Sequence, residues 1–109
     1  MAQYIVTGNY TAAAMKGMIG SPSDREKAVG ALIAAAGGKM ESFFITTGES
    51  DFITRVSTDD TIGMLAALMA VGATGSVSNL KTVQCFTSAE FTKAQKAAGA
   101  VAAKFSAAN

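Results

Sequence analysis

Between Lys39 and Ser57 the chain runs apolar, breaks at Gly48-Glu49-Ser50-Asp51, and runs apolar again. Two such short runs joined by residues that favour turns form a β-hairpin. The hairpin splits the sequence into two similar halves. Gln3–Tyr10, short and rich in β-branched and aromatic residues, reads as a strand, followed by TAAAMKGMIG as a brief helical turn. A helix then starts near Pro22, where Ser21 before a first-turn proline and the S-x-x-E pair Ser23 and Glu26 both offer a cap. Its apolar stripe is Ala28, Val29, Leu32, Ile33 and Ala36, and Gly37 and Gly38 supply a left-handed stop.

The second half repeats the plan. After the strand Phe52–Ser57, Thr58 or Asp59 caps a helix with its stripe through Ile62, Leu65, Ala66, Met69 and Ala73, ending at Gly72–Gly75. A last strand spans Val77–Phe86. Strand, helix, strand, twice over, is the pattern of the ferredoxin-like α+β sandwich: βαββαβ with a four-stranded antiparallel sheet, here with an extra C-terminal helix. In that helix Phe91, Ala94, Ala98, Val101 and Phe105 share one face and Lys93, Lys96 and Lys104 lie nearly opposite, so it is expected to lie on the body. A chain of 109 residues places all this in one domain, 1–109.

Strand parity then sorts the side chains. A two-residue loop at Glu49-Ser50 sets Thr47 opposite Phe52 and Phe44 opposite Arg55. One face carries Phe43, Ile45, Thr47, Phe52, Thr54 and Val56 and suits the helices. The other carries Met40, Ser42, Phe44, Thr46, Ile53 and Arg55. Two crossover helices cover one face only, so Met40, Phe44 and Ile53 need another cover. Burying one such side chain is worth roughly 1.5–3 kcal/mol, which favours pairing with a second copy against an association cost of about 4–15 kcal/mol. The interspersed Ser42, Thr46 and Arg55 suit a small polar or amphipathic molecule in the covered space.

Composition narrows the chemistry. A net charge of +1 leaves no basic surplus for nucleic acid. No apolar run reaches the roughly 18 residues of a membrane span, the N-terminus lacks a secretory pattern, and a single cysteine cannot form an internal disulfide, so a cytoplasmic location is expected. The chain has no histidine, and the lone Cys85 rules out Cys-x-x-Cys sites, so neither metal nor cofactor is expected. Cys85 reads as a small buried apolar residue, and Met15, Met18, Met64 and Met69 as core filler. Glu41 and Glu49 read as solvated charges.

The candidate ligand-binding residues are Asn9, Tyr10, Phe44, Thr46, Asp51 and Arg55. Each has a structural alternative. An aspartate in a tight turn more often caps backbone amides than moves protons. Arg55 can bind an anionic ligand or make a salt bridge across a dimer. Asn9 and Tyr10, at the C-terminal end of the first strand, can line a pocket mouth or simply begin a turn.

Taken together, YIVTGNYT (Tyr4–Thr11), Lys16, Ser21-Pro22, the Gly37-Gly38-Lys39 lead-in to the second strand and GGKMESFFITTGESDFITRVSTDD (Gly38–Asp60) resemble the GYD domain family over about residues 4–91. The shared signals are the N-[YW]-T strand end, the Gly-Gly-Lys segment, and a G-x-[aromatic]-D hairpin followed by an apolar strand and a D-D helix cap. Gly48 and Asp51 match, whereas Ser50 stands where the family usually has tyrosine. The resemblance implies a ferredoxin-like domain similar to the dimeric α/β-barrel proteins, in which two sheets face each other, and implies no established activity. Three readings follow: a homo-oligomeric binding module with a small molecule between facing sheets; a cofactor-independent monooxygenase or isomerase, by fold analogy; or a scaffold with that space filled. No catalytic residue is assigned.

Overall fold

The computed structural model describes residues 1–106, so the last three residues of the expected 1–109 domain lie outside the described residues. Along the chain run β1 (Ala2–Tyr10), α1 (Ala12–Gly20), α2 (Arg25–Ala35), β2 (Lys39–Ile45), β3 (Phe52–Thr58), α3 (Thr61–Ala73), β4 (Val77–Cys85) and α4 (Ser88–Ala102). The strands form one antiparallel sheet in the order β2-β3-β1-β4. This is the ferredoxin-like sandwich expected from the sequence, with α4 added after it.

The first crossover holds two helices, not a turn and one helix. Ala12, Ala13, Ala14 and Met15 are strong helix formers, and Thr11 caps them, its hydroxyl accepting from Ala14 N at 3.2 Å. Because α1 runs on to Gly20, Ser21 closes it, donating its N–H to Gly17 O at 2.9 Å. The cap of α2 therefore moves downstream from Ser21 and Ser23 to Asp24, whose carboxylate accepts from Lys27 N at 3.1 Å. The glycine stop is as expected: Gly37 has φ +85°. Helix α3 is capped by Asp60 instead of Thr58 or Asp59, with Gly63 N donating to Asp60 Oδ1 at 2.8 Å, while the Thr58 hydroxyl accepts from Asp60 N.

The core lies between the sheet and α2 and α3. Val6, Phe43, Phe52, Val56 and Ile33 are its buried apolar side chains. The rings of Phe43 and Phe52 stack at 6.2 Å, and Tyr10 tilts against Phe52 at 5.5 Å. Gly8 is bare beneath this ring, since a Cβ there would come within 2.7 Å of Phe52.

The hairpin register differs by two residues from the expected one: Ile45 pairs with Phe52 and Phe44 with Ile53. Thr46 N donates to Asp51 O at 2.9 Å, leaving Thr47–Ser50 as a four-residue loop. A shift of two preserves parity, so Phe43, Thr54 and Val56 stay on the helix side and Phe44, Ile53 and Arg55 on the open side. Met40 is the exception. A bulge between Met40 and Ser42 sets Met40 opposite Val56, and it packs on the core instead of facing out.

Further expectations are corrected. Helix α3 is apolar nearly all round, so periodicity cannot choose its inner face; Met64 and Leu68 pack on the core, whereas Ile62 and Met69 are 74% and 68% exposed and Leu65 is exposed as well. Helix α4 does not lie on the body: all of its residues are exposed, Phe91 at 61%. The molecule is accordingly drawn out to 60 Å in its longest dimension. Met15 is exposed too, Met18 is half-buried, and Cys85 is half-buried and free.

Candidate functional site

Register across the sheet gathers the helix-free face into three rows. Phe44, Ile53, Thr7 and Lys81 form one, Ser42, Arg55, Ile5 and Val83 the next, and Lys39, Ser57, Gln3 and Cys85 the third. Phe44 is 63% exposed and Val83 57%, while Ile5 and Ile53 between them are half-buried by their neighbours. The centre of the face is therefore apolar.

One side of it is polar and internally paired. Arg55 Nη1 donates to Gln3 Oε1 at 2.7 Å, and the Ser57 hydroxyl donates to Glu41 Oε1 at 2.7 Å. The Ser57 hydrogen bond holds the Glu41 carboxyl below its usual range, with Lys39 and Arg55 adding to the effect. Gln3 and Glu41 thus belong to the surroundings of Arg55. Sequence reading missed Gln3, Ile5 and Val83 because they lie on β1 and β4, whose register against the hairpin depends on non-local pairing. Glu41 was missed as a neighbour because the bulge that turns it toward Ser57 leaves no mark of its own in the sequence.

The other predicted residues meet at the end of the sheet, where the hairpin loop is tied to β1. Tyr10 N donates to Asp51 Oδ2 at 2.9 Å, Asp51 N donates to Gly8 O at 2.8 Å, and Asn9 Nδ2 donates to Glu49 O at 3.1 Å. The Thr46 hydroxyl bonds Ser50 O within the loop. Asp51 here closes a turn and caps a strand end. Tyr10 points its ring to the helix side against Phe52, and burial pushes its phenol above the ordinary value. The six candidates thus form two groups: Phe44 and Arg55 on the open face, and Asn9, Tyr10, Thr46 and Asp51 around the loop clamp. Among the described residues, no group of three or more cysteine, aspartate or glutamate side chains is arranged to hold a metal ion. No helix of the described residues is long and apolar enough to cross a membrane.

A family model described as the GYD domain matches residues 4–95. No curated protein matches the chain. Among solved structures, the crystal structure of FFRP-DM1 is similar at a TM-score of 0.45 and 15% identity, over 79% of this chain and 100% of that one.

Proposed function

The chain belongs to the GYD domain family, and from that premise we propose that it is a cytoplasmic homodimer of the dimeric α/β-barrel kind, a binding module whose two sheets pair through their helix-free faces. The observation that carries this reading is the apolar centre of that face, with Phe44 and Val83 exposed and Ile5 and Ile53 beside them. Covering Phe44 and Val83 is worth roughly 1.5–3 kcal/mol for each side chain in each copy. This is of the same order as the association cost of about 4–15 kcal/mol, and Ile5 and Ile53 add to it. The exposed apolar residues of α4 offer further surface to the same assembly.

A small polar or amphipathic molecule sits between the sheets in this proposal, against Phe44 with Arg55 as its polar contact and Thr46, Asn9 and Asp51 toward the rim. The alternative, proton-transfer catalysis in that space, draws no support from Asp51, which is engaged with Tyr10 N, or from Tyr10, whose ring turns to the helix side.

Sedimentation equilibrium at micromolar concentration is expected to give a dimer. Phe44→Asp, which buries a charge in each copy's share of the interface, is expected to raise the dissociation constant at least about a hundredfold, the equivalent of roughly 3 kcal/mol, while leaving the circular dichroism spectrum unchanged. A monomeric wild type would overturn the proposal.

A further inference from the structure

On the opposite side of the sheet, α2 and α3 splay apart and leave a cleft of about 240 Å³ over β1 and β3. Phe52 and Val6 form its floor, Val29 and Leu32 one wall, and Leu68 and Val71 the other. The hydroxyls of Thr54 and Thr58, also at its surface, are already committed to Ser42 O and to the Asp60 turn. The long walls therefore present hydrocarbon.

One end differs. Arg25 and Tyr10 border both this cleft and a second concavity of about 350 Å³ beneath α1, so they stand where the two meet. Arg25 Nε is buried and has no hydrogen-bond partner among the described residues. Among those residues the ion pairs are Met1 N with Asp59 and Lys81 with Glu49, so no carboxylate lies within ion-pair distance of Arg25. A buried guanidinium nitrogen without an acceptor is costly. An anion at this point supplies the missing acceptor, and guanidinium planes recognise carboxylates in particular.

We propose that the cleft binds a small apolar monocarboxylate, its hydrocarbon part between α2 and α3 and its carboxylate against Arg25, with Tyr10 beside it. By proportion with a cavity of about 150 Å³ that accepts benzene, the space holds roughly ten non-hydrogen atoms, the size of octanoate or phenylacetate. The Arg25 charge beside the Tyr10 phenol partly offsets the effect of burial on that group, which places the two side chains at the same end. The site belongs to one protomer and does not depend on self-association.

The test is methyl NMR and calorimetry on the full chain with sodium octanoate, sodium phenylacetate and the uncharged octanol. Saturable binding of either carboxylate is expected, with the largest shifts at Val29, Leu32 and Leu68. Arg25→Gln is expected to weaken it at least tenfold, Arg25→Lys to restore part of the loss, and octanol to bind wild type and Arg25→Gln alike. Ala67→Leu, which fills the cleft and keeps the arginine, is expected to abolish binding and serves should Arg25→Gln not fold. Absence of binding by both carboxylates, shifts centred on Ile5, Ile53 and Val83 instead, or full affinity in a folded Arg25→Gln or Ala67→Leu protein would overturn the proposal.

Discussion

Strands β3 and β4 both run antiparallel to β1, one on either side of it, and both are held by a backbone ladder, unbroken for β3 and shifted between Thr7 and Asn9 for β4. On the helix side of β3, Phe52, Thr54, Val56 and Thr58 are buried, whereas β4 has no buried residue along its nine. Both strands are thus paired along their length, but only one is buried. The difference lies in what is layered above: α2 and α3 face each other across β3 and β1, while β4 receives only the inner side of α3 at Val77 and Leu80, and α4 leads away from it. Backbone hydrogen bonds organise a sheet, but side-chain burial needs a second layer. The β3 half supplies that layer from its own chain. The β4–α4 half presents apolar surface for something else to cover.

The widest separation between the halves is expected from truncating a large side chain in each. Phe52→Ala removes the ring against which Tyr10 and Phe43 pack and is expected to cost about 3–5 kcal/mol in urea unfolding. Val83→Ala, measured in the Phe44→Asp background so that dimer contacts do not contribute, is expected to fall within about 0.5 kcal/mol. Comparable losses at the two sites would mean that β4 is as much part of the protomer's core as β3.

A gentler probe makes one substitution in both regions with opposite expected signs. Alanine is favoured over glycine within helices by about 1 kcal/mol. At Gly99, in α4, a Cβ meets nothing within 4 Å, so Gly99→Ala is expected to raise helicity and stabilise by roughly that amount. At Gly63, in the first turn of α3, a Cβ would run into the carbonyl oxygen of Ala36 and the carboxylate that caps the helix. Backbone cannot yield as a side-chain tip can, and Gly63→Ala is expected to cost roughly 1–3 kcal/mol despite its better propensity. Thermal unfolding of the two variants decides the matter; stabilisation by both would show that α2 and α3 meet less closely than their glycine suggests.

The same division marks how far the sequence could be read. The β-hairpin, the Gly37 stop and the two strand–helix–strand units carry local signals, and an even-numbered register shift left the faces of Phe44 and Arg55 unchanged. What escaped was non-local. The bulge that turns Met40 inward answers to packing against Val56 and α2, and nothing in KMES announces it. Helix α3 has apolar residues on both sides, so Ile62, Leu65 and Met69 formed as good a stripe as Met64 and Leu68. The stripe of α4 was correctly read as apolar, yet periodicity says that a face wants cover without saying which chain provides it. Of the candidate site, Phe44 and Arg55 lie on the open face as expected. The clamp role of Asp51 was legible as turn chemistry, whereas the pairing of Arg55 with Gln3 required the β1–β3 register.

The smallest expected effect isolates α4 by pH. With no tertiary layer over it, a helix of 15 residues is marginal and depends on its ends. Its N-terminus is closed reciprocally: Glu90 N donates to the Thr87 hydroxyl at 3.1 Å and Thr87 N donates to Glu90 Oε1 at 2.8 Å. The bond from the Thr87 backbone, and after it the Thr87 hydroxyl, hold the Glu90 carboxyl below its ordinary 4.5. A carboxyl lowered by folding contributes stability in full above its unfolded value and loses it as pH falls through the folded one. Amide exchange at Glu90 and Phe91 is therefore expected to stay constant from neutral pH to about 5 and to quicken, relative to unstructured-chain rates, only below 4.5. Glu90→Gln, which can still accept from Thr87 N, is expected to flatten that profile. Amides of Val6 and Thr54, under α2 and α3, should show no matching step; if they quicken in the same window and Glu90→Gln suppresses this as well, α4 is coupled to the core and the two halves are one cooperative unit.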